Sequence, residues 1–129
     1  MSVQPETHLG ISPVWVGEPV TLAPGAATAR LQTRQEMAAD ERGLVHGGFA
    51  FGLADYAAML AVNDPWVVLG AAEARFLAPI RVGETMVARA EVVEEKGKKR
   101  LVRCSVITDR EVFAATFTCF VLDRHVFEA

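Results

Sequence analysis

Cysteine, histidine and tyrosine are scarce in this chain: two, three and one among 129 residues. Cys104 and Cys119 stand alone in apolar runs with no C-x-x-C pair, which excludes the usual zinc and dithiol spacings. They read as reduced core thiols, and that points to a cytoplasmic setting. Positive charge is lacking too. Thirteen Lys and Arg stand against sixteen Asp and Glu, for a formal net charge of −3. No global basic field is available to attract nucleic acid. The one basic cluster, Lys96, Lys98, Lys99 and Arg100, is short and reads as a solvated hairpin tip. No signal-peptide layout opens the sequence, and no apolar run reaches membrane-spanning length without a charge breaking it. Internal repeats, low-complexity tracts and domain boundaries are not visible. Residues 1–129 are therefore read as one domain, with 1–19 as a loosely patterned, proline-bearing leader to which no function is assigned.

What is present is apolar content, 51% of the residues, enough for a core without metals or disulfides. Val20–Ala23 reads as a short strand stopped by Pro24-Gly25, Ala27–Thr33 as a second, and Met37–Gly43 as a polar connector. From Gly43 to Asn63 the chain turns rich in Ala, Leu and Met and poor in β-branched residues, which favours helix. Phe49, Leu53, Tyr56 and Leu60 fall on one helical face, and Phe51, Ala54, Ala58 and Val62 on another. A helix apolar nearly all round is a buried helix. Asn63-Asp64-Pro65 ends it. Four extended runs follow, Trp66–Phe76, Thr85–Glu94, Leu101–Ile107 and Val112–Leu122, with a hairpin turn at Glu95–Lys99. In the last run Phe113, Ala115, Phe117, Cys119 and Val121 share a face able to cover the helix. The fold class is α+β: one long buried helix wrapped by a curved, mainly antiparallel sheet.

Between Gly43 and Asn63 only His46 and Asp55 can readily carry charge near neutral pH. Asp55 sits in mid-helix among apolar residues, where a carboxylate without a partner is costly and titrates upward. It either pairs across an interface or belongs to a functional site. His46-Gly47-Gly48 falls where the helix should begin. Two glycines let a ligand approach the backbone closely, and unpaired N–H groups at a helix start favour a developing negative charge. An oxyanion in acyl transfer needs such donors. With a helix starting near His46, Asp55 lies nine residues on, about 2.5 turns and roughly 13 Å away, on nearly the opposite side. The two groups can meet only between two copies of the helix packed antiparallel about a two-fold axis, which makes two sites at once. A catalytic role thus implies a dimer.

The stretch Gly43-Leu-Val-His46-Gly47-Gly48-Phe-Ala-Phe-Gly-Leu-Ala-Asp55-Tyr-Ala-Ala resembles the hot-dog fold thioesterases, in particular the PaaI-like acyl-CoA thioesterases. They share an H-G-G turn followed by an acidic residue nine positions after the histidine. Phe76-Leu-Ala-Pro79-Ile-Arg-Val-Gly83-Glu-Thr is similar to the family's strand end and turn before its long hairpin. The resemblance covers roughly residues 20–122. It implies the hot-dog fold, a homodimer that often pairs into a dimer of dimers, and an acyl-CoA substrate bound at the dimer interface, with no metal or organic cofactor. Carried over by position, Asp55 is the base that activates water or the nucleophile that attacks the thioester. The Gly47 amide polarises the carbonyl, Gly48 shapes the turn, and His46 orients it. The family commonly has Asn six positions before the histidine; here that position is Asp40, which can hydrogen-bond His46 only as an acceptor when ionised. Phe49 and Tyr56, with Leu53 and Met59, are candidates for the acyl pocket. Arg75 and Arg81, with Lys98, Lys99 and Arg100, are candidates for the phosphates of coenzyme A.

Three other readings stay open, the plainest being a structural dimer with no ligand, which explains Asp55 worst. A hot-dog dehydratase or hydratase would use His46 as a base near the α-carbon of an acyl thioester, and the adjoining Gly-Gly argues against it. A non-catalytic acyl-CoA-binding protein is the third, although the sequence offers no spare segment for a DNA-binding module.

Overall fold

The computed structural model describes residues 3–129. Two strands, β1 (Glu18–Ala23) and β2 (Ala26–Gln32), precede the helix α1 (Gly48–Val62), and four follow: β3 (Val67–Phe76), β4 (Thr85–Lys96), β5 (Lys99–Ile107) and β6 (Glu111–Val121). All pairings are antiparallel. The sheet order is β1-β2-β4-β5-β6-β3. The four strands after the helix are therefore not a simple run of neighbours. β3 pairs with β6 at one edge, and the chain then crosses over to lay β4 beside β2. Lys98, Lys99 and Arg100 lie at the β4–β5 hairpin, where Lys98 pairs with Asp123 and Arg100 with Glu95.

One face of the sheet is built to receive α1. Ala27, Ala29 and Leu31 of β2 alternate inward, as do Met86, Ala88 and Ala90 of β4, Val102, Cys104 and Val106 of β5, and Phe113, Ala115, Phe117 and Cys119 of β6, all buried. This is the period of two expected of strands with one covered face. The alanines of β2 and β4 allow the helix backbone to come close. Ala50, Ala54, Ala57, Ala58 and Ala61 do the same from the helix side. Phe51 fills the other half of the layer, edge-on to Phe113 and Phe117 with ring centroids 6.1 and 5.6 Å apart. The helix ends as the sequence indicates. Asn63 adopts the left-handed conformation at φ 52° and donates its N–H to Met59 at 2.7 Å, a C-terminal arrangement asparagine tolerates. Asp64 then accepts from the Trp66 N–H and turns the chain into β3.

The segment before β1, which carries no periodic signal, lies along α1. Asn63 ties its start, accepting from the Glu6 N–H at 2.8 Å and donating to the Gln4 carbonyl at 2.8 Å. Thr7 is buried, His8 approaches Tyr56 with ring centroids 6.2 Å apart, and Trp15 reaches Phe49 at 6.3 Å. The strap thus runs antiparallel to the helix. Gly17 locks its far end: at φ 121°, a Cβ there would stand 2.7 Å from the Leu53 side chain and 2.8 Å from the Arg30 carbonyl oxygen. The carbonyl belongs to a strand and cannot yield. Gly17→Ala should lower unfolding free energy by more than about 1 kcal/mol in urea titration; an unchanged midpoint would mean that the strap is not held there.

Candidate active site

The His46 turn is clamped from two sides. The His46 N–H donates to the carbonyl of buried Met37 at 2.9 Å, and the Val45 N–H to Ile80 at 2.8 Å. Gly43 accepts from the Val82 N–H at 2.9 Å. A one-turn 3₁₀ helix, Gln35–Met37, leads into the connector read as polar and anchors its first residue, Met37. Asp40 holds the bend before the turn, accepting from the Arg42 and Leu44 N–H groups at 2.9 and 3.2 Å. The expected bond from Asp40 to His46 is replaced by these. An asparagine side-chain oxygen could accept the same pair, so the exchange of Asn for Asp costs the turn nothing.

The helix begins at Gly48, with Gly47 as its N-cap at φ −59°, two residues later than a start at His46. The angular relation expected from a start at His46 therefore does not hold. Gly48 and Asp55 are seven residues apart, nearly two full turns, so they lie on the same side, roughly 10 Å apart along the axis. That distance is still too long for one substrate carbonyl to meet both. Both glycines are required by neighbours. A Cβ on Gly47 would lie 2.9 Å from the Phe76 ring, and one on Gly48 would lie 3.0 Å from the His46 ring. Among the described residues neither the Gly47 nor the Gly48 N–H makes a hydrogen bond. They are the open donors of a helix start, flanked by Phe76 on one side and His46 on the other. His46 is exposed, edge-on to Phe49 at 6.2 Å.

Asp55 is half-buried, and its Oδ1 is buried with no hydrogen-bond partner. Desolvation pushes the carboxyl above its ordinary range, and the charge of His8 opposes that shift. The histidine that Asp55 feels within its own chain is thus His8 rather than His46. Phe51, Gly52 and Met59 share its side of α1 by spacing, and a Cβ on Gly52 would meet nothing within 4 Å. Cys119 of β6 lies near enough to feel Asp55; burial chiefly, then that carboxylate, push its thiol up to about 12. Burial does the same to Cys104. Both thiols are reduced, neutral core groups.

The remaining expected binding residues are scattered. Phe49 is half-buried between Trp15 and His46. Tyr56 is buried beneath the strap instead of lining an open pocket, and burial, then Glu18, push its hydroxyl upward. Arg81 lines a cavity of about 390 Å³ beside the bend, with Arg42, Arg110, Asp40, Glu84 and Asp109. Arg75 pairs in register with Ala114, whereas Ala74 and Phe76 pair with the buried Ala115 and Phe113. Its side chain therefore projects from the outer face of the sheet, away from α1, where it lines a cavity with Glu73 and Arg103. The sequence reading missed Phe76, Arg42, Arg110 and His8. Only Phe76 left a signal there, through its alternation with Arg75.

Residues 42–114 match the family model of the thioesterase superfamily. The crystal structure of the uncharacterized protein PH1136 from Pyrococcus horikoshii is 49% identical and superposes with a TM-score of 0.96 over 98% of each chain. A point mutant of the phenylacetic acid degradation protein PaaI from Thermus thermophilus is 31% identical, with a TM-score of 0.76 over 83% of this chain and 95% of that one. A methylthioribose-1-phosphate isomerase from Aquifex aeolicus is 49% identical over 119 residues, 91% of this chain but 26% of that protein. The transcription factor FapR from Thermoanaerobacter sp. is 27% identical over 111 residues, 84% of this chain and 56% of that protein. The chain thus spans between a quarter and just over half of the length of these two named relatives. With one helix wrapped by an antiparallel sheet and an H-G-G turn at the helix start, the chain belongs to the thioesterase superfamily and is a PaaI-like hot-dog protein.

Proposed function

We propose that the protein hydrolyses an acyl-CoA thioester to the free acid and coenzyme A at sites shared between two subunits. The observation that carries this reading is the partnerless Oδ1 of Asp55 in an apolar helix, in a chain that also leaves the Gly47 and Gly48 amides open. Asp55 of one subunit takes a proton from water as the water oxygen attacks the thioester carbonyl carbon. The carbonyl oxygen becomes an oxyanion, and the other subunit's Gly47 N–H, at a helix start, stabilises it. Collapse breaks the C–S bond, and the thiolate recovers the proton from Asp55. Direct attack by Asp55 on the carbonyl, followed by hydrolysis of the anhydride, uses the same groups.

Two features support a dimer. β3 is a ten-residue edge strand, and edges of that length are normally covered. Around the turn, Phe76, Leu77, Leu44 and Trp15 are 61%, 48%, 43% and 41% exposed, an apolar surface of the kind that partners bury. A dimer of dimers, with the charged outer sheet face as contact, extends the same reading. Arg42, Arg81 and Arg110 line the cavity adjoining the turn, among Asp40, Glu84 and Asp109, and their guanidinium groups are the candidates there for the phosphates of coenzyme A. The likeness to part of a transcription factor, FapR, favours a second reading, a ligand-binding domain without turnover.

Thiol release from a panel of short, long and aromatic acyl-CoAs separates the two. At least one member should be hydrolysed, and folded Asp55→Ala should be about 100-fold slower or worse. Melting shifts without thiol release from any member would favour the binding reading. Stability gives an independent check. The folded carboxyl of Asp55 titrates above its unfolded value, so the folded state holds this proton more tightly. Stability is lost as pH rises from the ordinary carboxylate range through the raised value, and the loss persists above it. Asp55→Asn should therefore melt higher than wild type at pH 7, with a gap that closes as pH falls toward about 4. An Asn variant no more stable at neutral pH would show that the carboxylate is not desolvated.

A further inference from the structure

We propose, on the thioesterase reading, that Gly52 is a specificity-determining residue: the acyl group of the substrate lies across it, and its missing side chain sets how much bulk is admitted beside the thioester carbonyl. Every glycine of the chain but two has a reason for its place within its own subunit, either a positive φ or a ring that a Cβ would strike. The exceptions are Gly10 and Gly52, where φ is not positive and a Cβ would meet nothing within 4 Å. Gly10 stands in a turn of the strap, a setting glycine favours. Gly52 stands inside α1, where glycine is the poorest residue after proline. Alanine there would fit the subunit and strengthen the helix. The space over Gly52 is therefore kept for something that the subunit does not itself supply.

The neighbours of Gly52 say what that is. Asp55, with its partnerless Oδ1, lies three residues on and on the same side of α1, about 4.5 Å along the axis. A partner helix seated on Gly52 would close the approach that water and the thioester need to reach that carboxylate. The substrate is a line of coenzyme A, sulfur, carbonyl and acyl group. Its phosphates have their candidate cations, Arg42, Arg81 and Arg110, beside the turn that offers the amide, and that turn belongs to the other subunit. The acyl end therefore runs onto the helix that carries Asp55. The surroundings of Gly52 there are apolar: Phe51 is half-buried, edge-on to Phe113 and Phe117 at 6.1 and 5.6 Å, and Met59 is buried. With so short a step from Asp55, the part of the acyl group over Gly52 is its first few carbons. Gly52 thus governs branches and rings next to the carbonyl more than chain length.

The test is kcat/KM for thiol release from acetyl-, butanoyl-, 2-methylpropanoyl- and benzoyl-CoA in wild type, Gly52→Ala and Gly52→Val, with melting and sedimentation of each protein. Gly52→Ala should melt about 3 °C higher or more and sediment as wild type does. It should lose roughly 10-fold in kcat/KM on the branched and ring acyl groups, and less on the straight ones. Gly52→Val should deepen the loss in the same order. An equal loss on every thioester, or no loss on any, would overturn the proposal, and so would a wild type that turns over straight acyl groups alone. A Gly52→Ala protein that sediments as a smaller species would give the space to the partner's helix instead. If wild type releases no thiol but some of these thioesters raise its melting temperature, the thioesterase reading falls. Gly52 then keeps its role only if Gly52→Ala weakens the melting shift from the bulky thioesters more than that from acetyl-CoA. Neither turnover nor a melting shift from any of the four would overturn both.

Discussion

A carboxyl oxygen without a partner, halfway along a helix that is otherwise apolar, is the constraint on which the rest of the molecule turns. The helix sits deep because alanines on its underside meet alanines on β2 and β4. That close packing removes water from Asp55 and sets its desolvation. The cost is borne because the remaining surroundings are arranged around it. Gly52, on the same side of the helix, leaves room beside it. A core with a leucine at position 55 would be the more stable one, and stability given up at one buried carboxylate is the ordinary mark of a site kept for chemistry.

The second half of the site is governed by hydrogen-bond supply. A helix start leaves donors open, and here an unusual number of clamps keep them so. Met37, Ile80 and the Asp40 carboxylate occupy the neighbouring amides of His46, Val45, Arg42 and Leu44. The two glycine amides stay free while the backbone around them is fixed. Phe76 and His46 then close on the glycines so tightly that any side chain there would displace a ring. Preorganised donors beside an apolar wall suit an oxyanion better than a ground-state carbonyl.

Much of this was legible in the sequence, for local reasons. The alternation of Phe113, Ala115, Phe117 and Cys119 marked the covering face, Asn63-Asp64-Pro65 marked the helix end, and the lone acid in an apolar helix marked Asp55 as the candidate. What could not be read is non-local. β3 and β6 pair across an intervening hairpin, and nothing within either strand names its partner. The helix start moved by two residues because glycine carries little helical preference of its own. The strap was invisible because its order comes from Asn63, Tyr56 and Leu53, far along the chain, and not from any period within residues 3–17. His8, a lone histidine among prolines and glycines, could not be tied to Tyr56 before the fold set their rings 6.2 Å apart. The orientation of Arg75 could not be read from its own strand alone; parity with Phe76, which pairs with the buried Phe113, puts it on the outer face.

The central claim is that each site takes its carboxylate from one subunit and its amide from the other. Complementation tests it most directly. Asp55→Ala and Gly47→Pro each remove one half; proline fits the −59° φ of Gly47, lacks its N–H and sets a Cβ against the Phe76 ring, so it disables the turn. Unfolded together and refolded as a mixture, they should recover roughly a quarter of wild-type thiol release, since about half the dimers are mixed and each of those holds one intact site. A mixture no more active than its two parents would place both halves within a single chain and contradict the shared site.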